Sequence, residues 1–169
     1  MRKIIFGMLE AVMVLSLAAC GKSSVSSQMP NPFAEHTSIE EAEQAAGFSL
    51  TVPDKIDGFS DRILRTMKSE DGTSMIEVIY CNEQDQSSTK EDEIRIRKEN
   101  GTDDISGDYT DYSENSVITV NEIPVSVKGD NGGIRLATWY RDHYSYSIGF
   151  YTGSGVSSEE LEDYVSSIQ

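Results

Sequence analysis

The chain has 169 residues, with 29 acidic against 14 basic side chains, and its formal net charge at pH 7 is −15. This excess of carboxylates argues against binding to nucleic acid or adsorption to anionic lipid, because both depend on clustered Lys and Arg. The small numbers of histidines and cysteines, two of each, restrict zinc sites and nucleophilic catalysis. No cofactor is predicted.

Residues 1–19 have the pattern of a bacterial export signal. Arg2 and Lys3 are followed by a mostly apolar stretch, which is shorter than the roughly 20 apolar residues that span a membrane. The stretch ends Leu-Ala-Ala-Cys, and small residues directly before a cysteine are typical of a lipoprotein cleavage site. The sequence therefore predicts that Cys20 is lipidated, and that its acyl chains hold the protein on the extracytoplasmic face of the cell membrane.

Residues 20–33 are rich in Ser and Pro and have little to bury, so we expect a lipidated cysteine followed by a flexible tether. The remaining residues, 34–169, are enough for a single domain with one core. Because Cys20 is committed to lipid, Cys81 has no partner for an internal disulfide. We expect Cys81 to be a reduced, largely buried thiol in a strand.

Two capping boxes predict a short helix near each end of this domain. Ser38 and Ser157 each precede a Glu by three residues, as in the reciprocal hydrogen bonding of a helix start. The first helix is expected to end at about Ala46, where Gly47 supplies a left-handed stop. The second helix has an apolar stripe at i, i+3, i+4 and i+7, formed by Leu161, Tyr164, Val165 and Ile168.

Between the two helices the apolar residues alternate, which is typical of strands with one buried face. A hairpin turn is predicted at 130–133, where the chain reads Asp-Asn-Gly-Gly. We therefore expect an α+β domain, with a single antiparallel sheet of about seven or eight strands, a short N-terminal helix and a C-terminal amphipathic helix. The predicted strands are 48–52, 63–68, 75–81, 93–98, 117–120, 125–127, 134–140 and 144–151.

The last hairpin is compatible with two loop lengths. A three-residue loop, 141–143, pairs Tyr140 with Tyr144 and places two apolar series on one face of the sheet. A two-residue loop pairs Trp139 with Tyr146 instead. We favour the three-residue loop.

The aromatic residues of this hairpin are a candidate binding surface. With the three-residue loop, Trp139 lies on the face opposite Tyr146, together with Arg135, Arg141 and Tyr151. An aromatic ring beside cations suits a sugar ring or a peptide. These residues are therefore the predicted binding surface, although aromatic residues in a sheet more often belong to its core.

An acidic loop follows the fourth predicted strand. Asp103, Asp104, Asp108 and Asp111 are candidate ligands for Ca²⁺, an ion that extracellular modules bind with dissociation constants of roughly 0.1–1 mM. The loop lacks the Asp-x-Asp-x-Asp-Gly order of a helix-loop-helix calcium site, and acidic loops are more often simply solvated. Calcium binding is therefore only a weak hypothesis.

Several short motifs occur along the domain, namely Asn31-Pro-Phe, the helix start at 38–43, Ala46-Gly-Phe, Val52-Pro and the helix start at 158–161. Together they resemble an uncharacterised extracytoplasmic domain of Gram-positive lipoproteins and membrane-anchored proteins, a domain of unknown function. The resemblance covers about 31–169 and implies a Gram-positive envelope and a compact α+β fold. It implies no catalytic residues.

No nucleophile motif accompanies the two histidines, which favours a domain without catalytic chemistry. The leading hypothesis is an envelope lipoprotein that binds or scaffolds a cell-surface partner, either a protein or a wall glycan. One alternative is a carrier that encloses a lipid or lipopeptide in an apolar cavity. The other is a cell-wall hydrolase that uses paired carboxylates.

Overall fold

The computed structural model describes residues 31–82 and 92–169. These residues form one antiparallel sheet of eight strands and two short helices, so the domain is mainly β. The single antiparallel sheet predicted from the sequence is confirmed. In chain order the elements are β1 (Phe33–His36), α1 (Ile39–Ala46), β2 (Asp61–Lys68), β3 (Ser74–Cys81), β4 (Glu93–Glu99), β5 (Glu114–Val120), β6 (Ile123–Asp130), β7 (Gly133–Arg141), β8 (Tyr144–Phe150) and α2 (Ser158–Ser167).

The sheet is built from two meanders that meet at its centre. Its strand order is β1-β2-β3-β4-β8-β7-β6-β5, and every neighbouring pair is antiparallel. β4 and β8 join the two halves, so residues far apart in the chain share the middle of the sheet. Among the residues that the structure describes, no helix is long and apolar enough to cross a membrane.

The N-terminal part of the domain differs from the prediction in two ways. The first strand begins at Phe33, the last residue of the predicted tether, whereas the export signal and Cys20 lie outside the described residues. The predicted strand at 48–52 is not a strand, because its backbone does not pair with the sheet. Thr51 exchanges hydrogen bonds of 2.8 and 3.2 Å with Gln169 instead, and Leu50 is buried in the core.

One face of the sheet, called here the helix face, packs against both helices and contains the hydrophobic core. The predicted stripe of the C-terminal helix docks on this face, and the ring of Tyr164 lies edge-on to Phe150 at 5.3 Å. The capping box at Ser157 is present and fixes the start of α2. The fully buried members of the stripe are Leu161, Val165 and Ile168.

The loop of the last hairpin has two residues, so the prediction of a three-residue loop is wrong. Asp142 and His143 have φ angles of 52° and 71°, and Arg141 pairs with Tyr144. A turn with two left-handed residues matches the right-handed twist of the flanking strands, which favours the shorter loop. The turn predicted at 130–133 is confirmed by positive φ at Asn131 and by pairing of the flanking residues.

Replacement of Leu161 by alanine is expected to lower the free energy of unfolding by about 2–5 kcal/mol, because a fully buried side chain would leave a cavity between α2 and the sheet. Chemical denaturation followed by circular dichroism measures the change. The exposed neighbour Glu162 provides the control, and Glu162→Ala should leave the denaturation midpoint almost unchanged. Equal midpoints for Leu161→Ala and the parent would show that α2 is not docked.

Candidate binding groove on the loop face

The face of the sheet opposite the helices, called here the loop face, has a buried carboxylate at its centre. Glu77 in β3 is fully buried and is flanked in register by Arg65 of β2 and Arg97 of β4. Nε of Arg65 donates to Glu77 Oε1 at 2.8 Å, and Nε of Arg97 donates to Oε2 at 2.7 Å. Nε of Arg95 lies 3.6 Å from Oε2. Three guanidinium groups therefore surround one carboxylate.

These cations keep Glu77 ionised. Burial alone would raise its pKa, but Arg97, Arg95 and Arg65 outweigh that effect and the pKa is lowered. A buried carboxylate is costly to desolvate and is tolerated only when its partners are present. The cluster thus links three adjacent strands through one charge that needs all of them.

The same cluster holds the loop at 100–113 against the sheet. Nη1 of Arg97 donates to the backbone oxygens of Ile105 and Ser106, each at 2.7 Å, and both residues are buried. Gly107 is required at this contact, since it has a φ of +59° and a Cβ would lie 2.7 Å from Arg97 Nη1. The loop is therefore fastened to the sheet by backbone contacts with a buried arginine.

The loop uses Asp108, one of the four candidate calcium ligands, for its own folding. Its carboxylate accepts from the backbone N–H of Thr110 and from the hydroxyl of Tyr112, both at 2.9 Å. Burial would raise the pKa of Asp108, but hydrogen bonds from Thr110, Tyr112 and Tyr151 outweigh it and the pKa is lowered. Asp108 is thus a structural residue of the loop.

The other candidate calcium ligands are not gathered into a site. Asp104 accepts from the backbone N–H of Ser106 at 2.9 Å, which closes a local turn, and Asp103 and Asp111 are exposed. No group of three or more His, Cys, Asp or Glu residues able to hold a metal ion occurs within 31–82 and 92–169. The structure does not support the calcium hypothesis, because the loop folds around hydroxyl and amide donors.

The predicted aromatic binding surface is also incorrect. Trp139 is only 4% exposed, and its ring stacks on Tyr146 at 5.3 Å within the core of the helix face. Arg141 lies on the same side, where Nη2 donates to the backbone oxygen of Ile168 at 2.8 Å. The two-residue loop is the cause, because it places Trp139 opposite Tyr146 and so turns the indole into the core.

The remaining two members of that surface lie together elsewhere. Tyr151 lies over Gly149 on the loop face, where a Cβ would meet the tyrosine ring at 2.6 Å. Arg135 donates through Nη1 to the backbone oxygen of Gly153. Both line a shallow depression beside Tyr112. The four predicted residues are therefore divided between the two faces of the sheet.

Cys81 lies in a strand, as predicted. It is the last residue of β3, and its side chain is of intermediate burial. Burial, together with the neighbouring carboxylates of Asp61 and Glu93, raises the pKa of its thiol. A raised pKa disfavours the thiolate, so the thiol is a poor nucleophile at neutral pH.

A groove of about 470 Å³ lies on the loop face and is called here the acidic groove. Its floor is a cross-strand row in which Phe33 pairs with Met67, Met67 with Met75, and Met75 with Glu99. The row is apolar along three strands and ends in a carboxylate. The β2–β3 turn and the loop at 100–113 form the rim, which includes Ser69, Asp71, Thr73, Asp103, Asp104, Ile105, Gly107 and Tyr109.

The rim of the acidic groove combines uncompensated negative charge with an exposed aromatic ring. Tyr109 is 97% exposed. Within the described ranges, the ion pairs do not include any of the four carboxylates of the groove, namely Asp71, Glu99, Asp103 and Asp104. An exposed ring of this size next to an apolar floor is a typical contact point for a ligand.

Glu99 experiences this charge most directly. Burial raises its pKa, and the nearby carboxylates of Asp103 and Asp71 raise it further, whereas Arg97 lowers it but is outweighed. The guanidinium of Arg97 is already engaged by Glu77 and by the loop backbone. Among the residues that the structure describes, the ion pairs therefore leave the negative charge of the groove without a partner.

Sequence reasoning did not find this groove, although it identified three of its four strands. The predicted strand at 93–98 ends before Glu99, and the alternation within the other two strands gives only the face on which Met67 and Met75 lie. The alternation does not show that these residues are neighbours, because that depends on the register between strands. Phe33 ends the Ser- and Pro-rich tether segment, so no alternating pattern predicts a strand there.

Comparisons of the chain with models of known families, with curated proteins and with solved structures each found no match. No relative therefore assigns a role to the acidic groove or to the Glu77 cluster. The function proposed below rests on the geometry of the groove and on the N-terminal motif.

Replacement of Glu77 by glutamine is expected to lower the free energy of unfolding by about 3–5 kcal/mol, because it leaves the buried Arg97 and the partly buried Arg65 without their counter-charge. Chemical denaturation at pH 7 measures the loss. The matched control is Asp54→Asn, which breaks the ion pair of an exposed carboxylate with Arg62 at 3.6 Å and should change stability little.

Comparison of the parent with Glu77→Gln at different pH values tests the direction of the pKa shift at Glu77. Because the folded-state pKa lies below its ordinary value of 4.5, the stabilisation by the carboxylate is fully present above that pH. It is lost as the pH falls through the lowered pKa. Melting curves from pH 7 downward should therefore show the gap between parent and Glu77→Gln closing only below about 4.5. A gap that is constant with pH would contradict an ionised Glu77.

Glu99→Gln is expected to have the opposite effect on stability from Glu77→Gln. Since the pKa of Glu99 is raised above 4.5, its ionised form destabilises the fold at neutral pH, and the amide should raise the melting temperature there. The gain should disappear as the pH falls below 4.5, where the carboxyl is protonated in both states. Glu162→Gln, at an exposed site on α2, controls for the removal of one negative charge. An equal gain from both substitutions would attribute the effect to net charge alone.

Proposed function

We propose that this chain is a lipid-anchored lipoprotein on the extracytoplasmic face of the cell membrane, whose domain binds a cell-surface partner through the acidic groove. The anchor is supported by the charged start, the short apolar stretch and the small residues that precede Cys20.

The acidic groove is the observation that carries the binding proposal. It is open, it has an apolar floor, and its rim has a nearly fully exposed tyrosine. Arg97 fixes one wall through the backbone oxygens of Ile105 and Ser106, so part of the binding surface is ordered before a partner arrives. A pre-ordered surface loses less conformational entropy on binding and therefore gains affinity.

The packing of the helix face favours this proposal over a lipid carrier. A carrier needs an apolar cavity, which in this architecture would lie between the sheet and the helices. There, Ile148, Phe150 and Leu161 are all fully buried, and Tyr164 contacts Phe150. The side chains that would line a cavity thus pack against one another.

A cell-wall hydrolase is a second candidate, favoured by one feature of the groove. Glu99 has a raised pKa and lies near the carboxylate of Asp103, and glycoside hydrolysis uses a pair of carboxyl groups of which one, the general acid, has a raised pKa. Digestion of purified cell wall by the parent and by Glu99→Gln tests it. Wall solubilisation that is lost in Glu99→Gln would favour the hydrolase, and no solubilisation by the parent would exclude it for that wall.

The anchor is tested by Cys20→Ser, which removes the thiol that would carry the lipid. We expect the parent to partition into the detergent phase and the variant to stay in the aqueous phase or to retain its signal peptide, since nothing else in the proposal anchors the chain. Cys81→Ser is the matched control and should partition as the parent does. A Cys20→Ser protein that is still processed and still found with the detergent would contradict the anchor.

Binding through the groove is tested in intact cells by placing a photo-crosslinking amino acid at Tyr109. The control places the same group at Glu162, which is exposed on α2 at the other face of the sheet. We expect cross-linked species from position 109 only, and digestion by a protease or by a muramidase identifies the partner as protein or wall glycan. Identical products from both positions, or none from either, would contradict a binding groove.

A further inference from the structure

We propose that the partner recognised by the acidic groove is a cationic peptide segment in which lysine or arginine side chains flank an apolar residue. The inference rests on the proposed binding function and names the chemistry of the ligand. It is based on three observations, namely the apolar floor, the carboxylates around it, and the engagement of the nearest arginine elsewhere.

The apolar floor of the groove favours an apolar side chain on the ligand. Phe33, Met67 and Met75 are consecutive in register across three strands, so their side chains form one continuous strip. Met75 is buried, and the other two are partly buried. Methionine side chains are flexible and polarisable and adapt to differently shaped apolar groups, which suits a peptide side chain better than a rigid polar ring.

The carboxylates of the groove favour a positive charge on the ligand on either side of that apolar side chain. Asp71 lies in the β2–β3 turn and Asp103 and Asp104 lie on the opposite loop, while Glu99 closes the end of the strip. A ligand with one apolar residue between two cations places each cation next to a carboxylate. Tyr109, at the rim, offers its ring to an arginine or lysine as well.

Within the described part of the chain, the two arginines closest to the groove floor are engaged elsewhere. Arg97 also lines the groove, but its guanidinium donates to Glu77, Ile105 and Ser106. Arg65 stacks on Phe33 at 4.7 Å and donates to Glu77. Both arginines are therefore fixed by the Glu77 cluster, and the negative potential of the groove remains available to an external partner.

The test is a binding titration with the full chain, purified after processing and kept in a neutral detergent. The probe is a fluorescent five-residue peptide, Lys-Leu-Arg-Phe-Lys, and binding is followed by anisotropy. Two control peptides replace either the basic residues by glutamate or the apolar residues by serine. We expect saturable binding of the first peptide only, with an affinity that falls as salt rises.

Two double variants locate the binding. Glu99→Gln combined with Asp103→Asn should lower the affinity for the peptide by about threefold to tenfold, because two partly exposed charge contacts are removed. Asp57→Asn with Glu162→Gln removes the same charge at exposed positions outside the groove and should bind as the parent does. An equal loss in both double variants would overturn the proposal, since the peptide would then be responding to net charge.

Other occupants give different results. Spermine that competes with the peptide at equal affinity would show that positive charge alone suffices, and would overturn the role of the apolar strip. Self-association of the chain that the peptide abolishes would identify a second copy as the occupant, and would overturn the peptide proposal. Cross-linking at position 109 without any peptide binding would leave the proposed function intact and refute only the ligand chemistry named here.

Discussion

The architecture of the loop face depends on one ionised carboxylate. Glu77 lies in the middle of a central strand with no exposure to water, and it is tolerated there only because arginines from its own neighbours surround it. The cluster is a constraint on the whole face: if the strands β2, β3 and β4 shifted by one residue, the charge would be buried without partners. The register of these strands and the ionisation of Glu77 are therefore coupled.

The same constraint extends to the loop that forms a wall of the groove. Nε of Arg97 donates a hydrogen bond to the carboxylate of Glu77, and Nη1 donates to the backbone oxygens of Ile105 and Ser106. The buried side chains of Ile105 and Tyr112 also hold this loop in place. The buried arginine beneath this acidic segment helps to order it, and within 31–82 and 92–169 the carboxylates of the groove take part in no ion pair, so the surface is negative.

The two faces of the sheet thus have different purposes in the proposed function. The helix face is a filled core, in which Trp139 and the α2 stripe exclude water and provide stability. The loop face has a network of ion pairs and hydrogen bonds that orders the loop at 100–113, and it contains an open groove. A domain held near the membrane by an N-terminal lipid would present such a face to components of the envelope, and the excess of acidic over basic residues in the chain would select against anionic ones.

The sequence by itself determined the local elements, because alternation and capping are short-range signals: seven of the eight strands, the box at Ser157 and the stripe of α2 follow from them. It did not determine which residues are neighbours on adjacent strands. The loop length that buried Trp139, the arginines that neutralise Glu77 and the row from Phe33 to Glu99 all depend on register between strands. Register is decided by the packing of the whole sheet, so only the tertiary structure could bring these residues together.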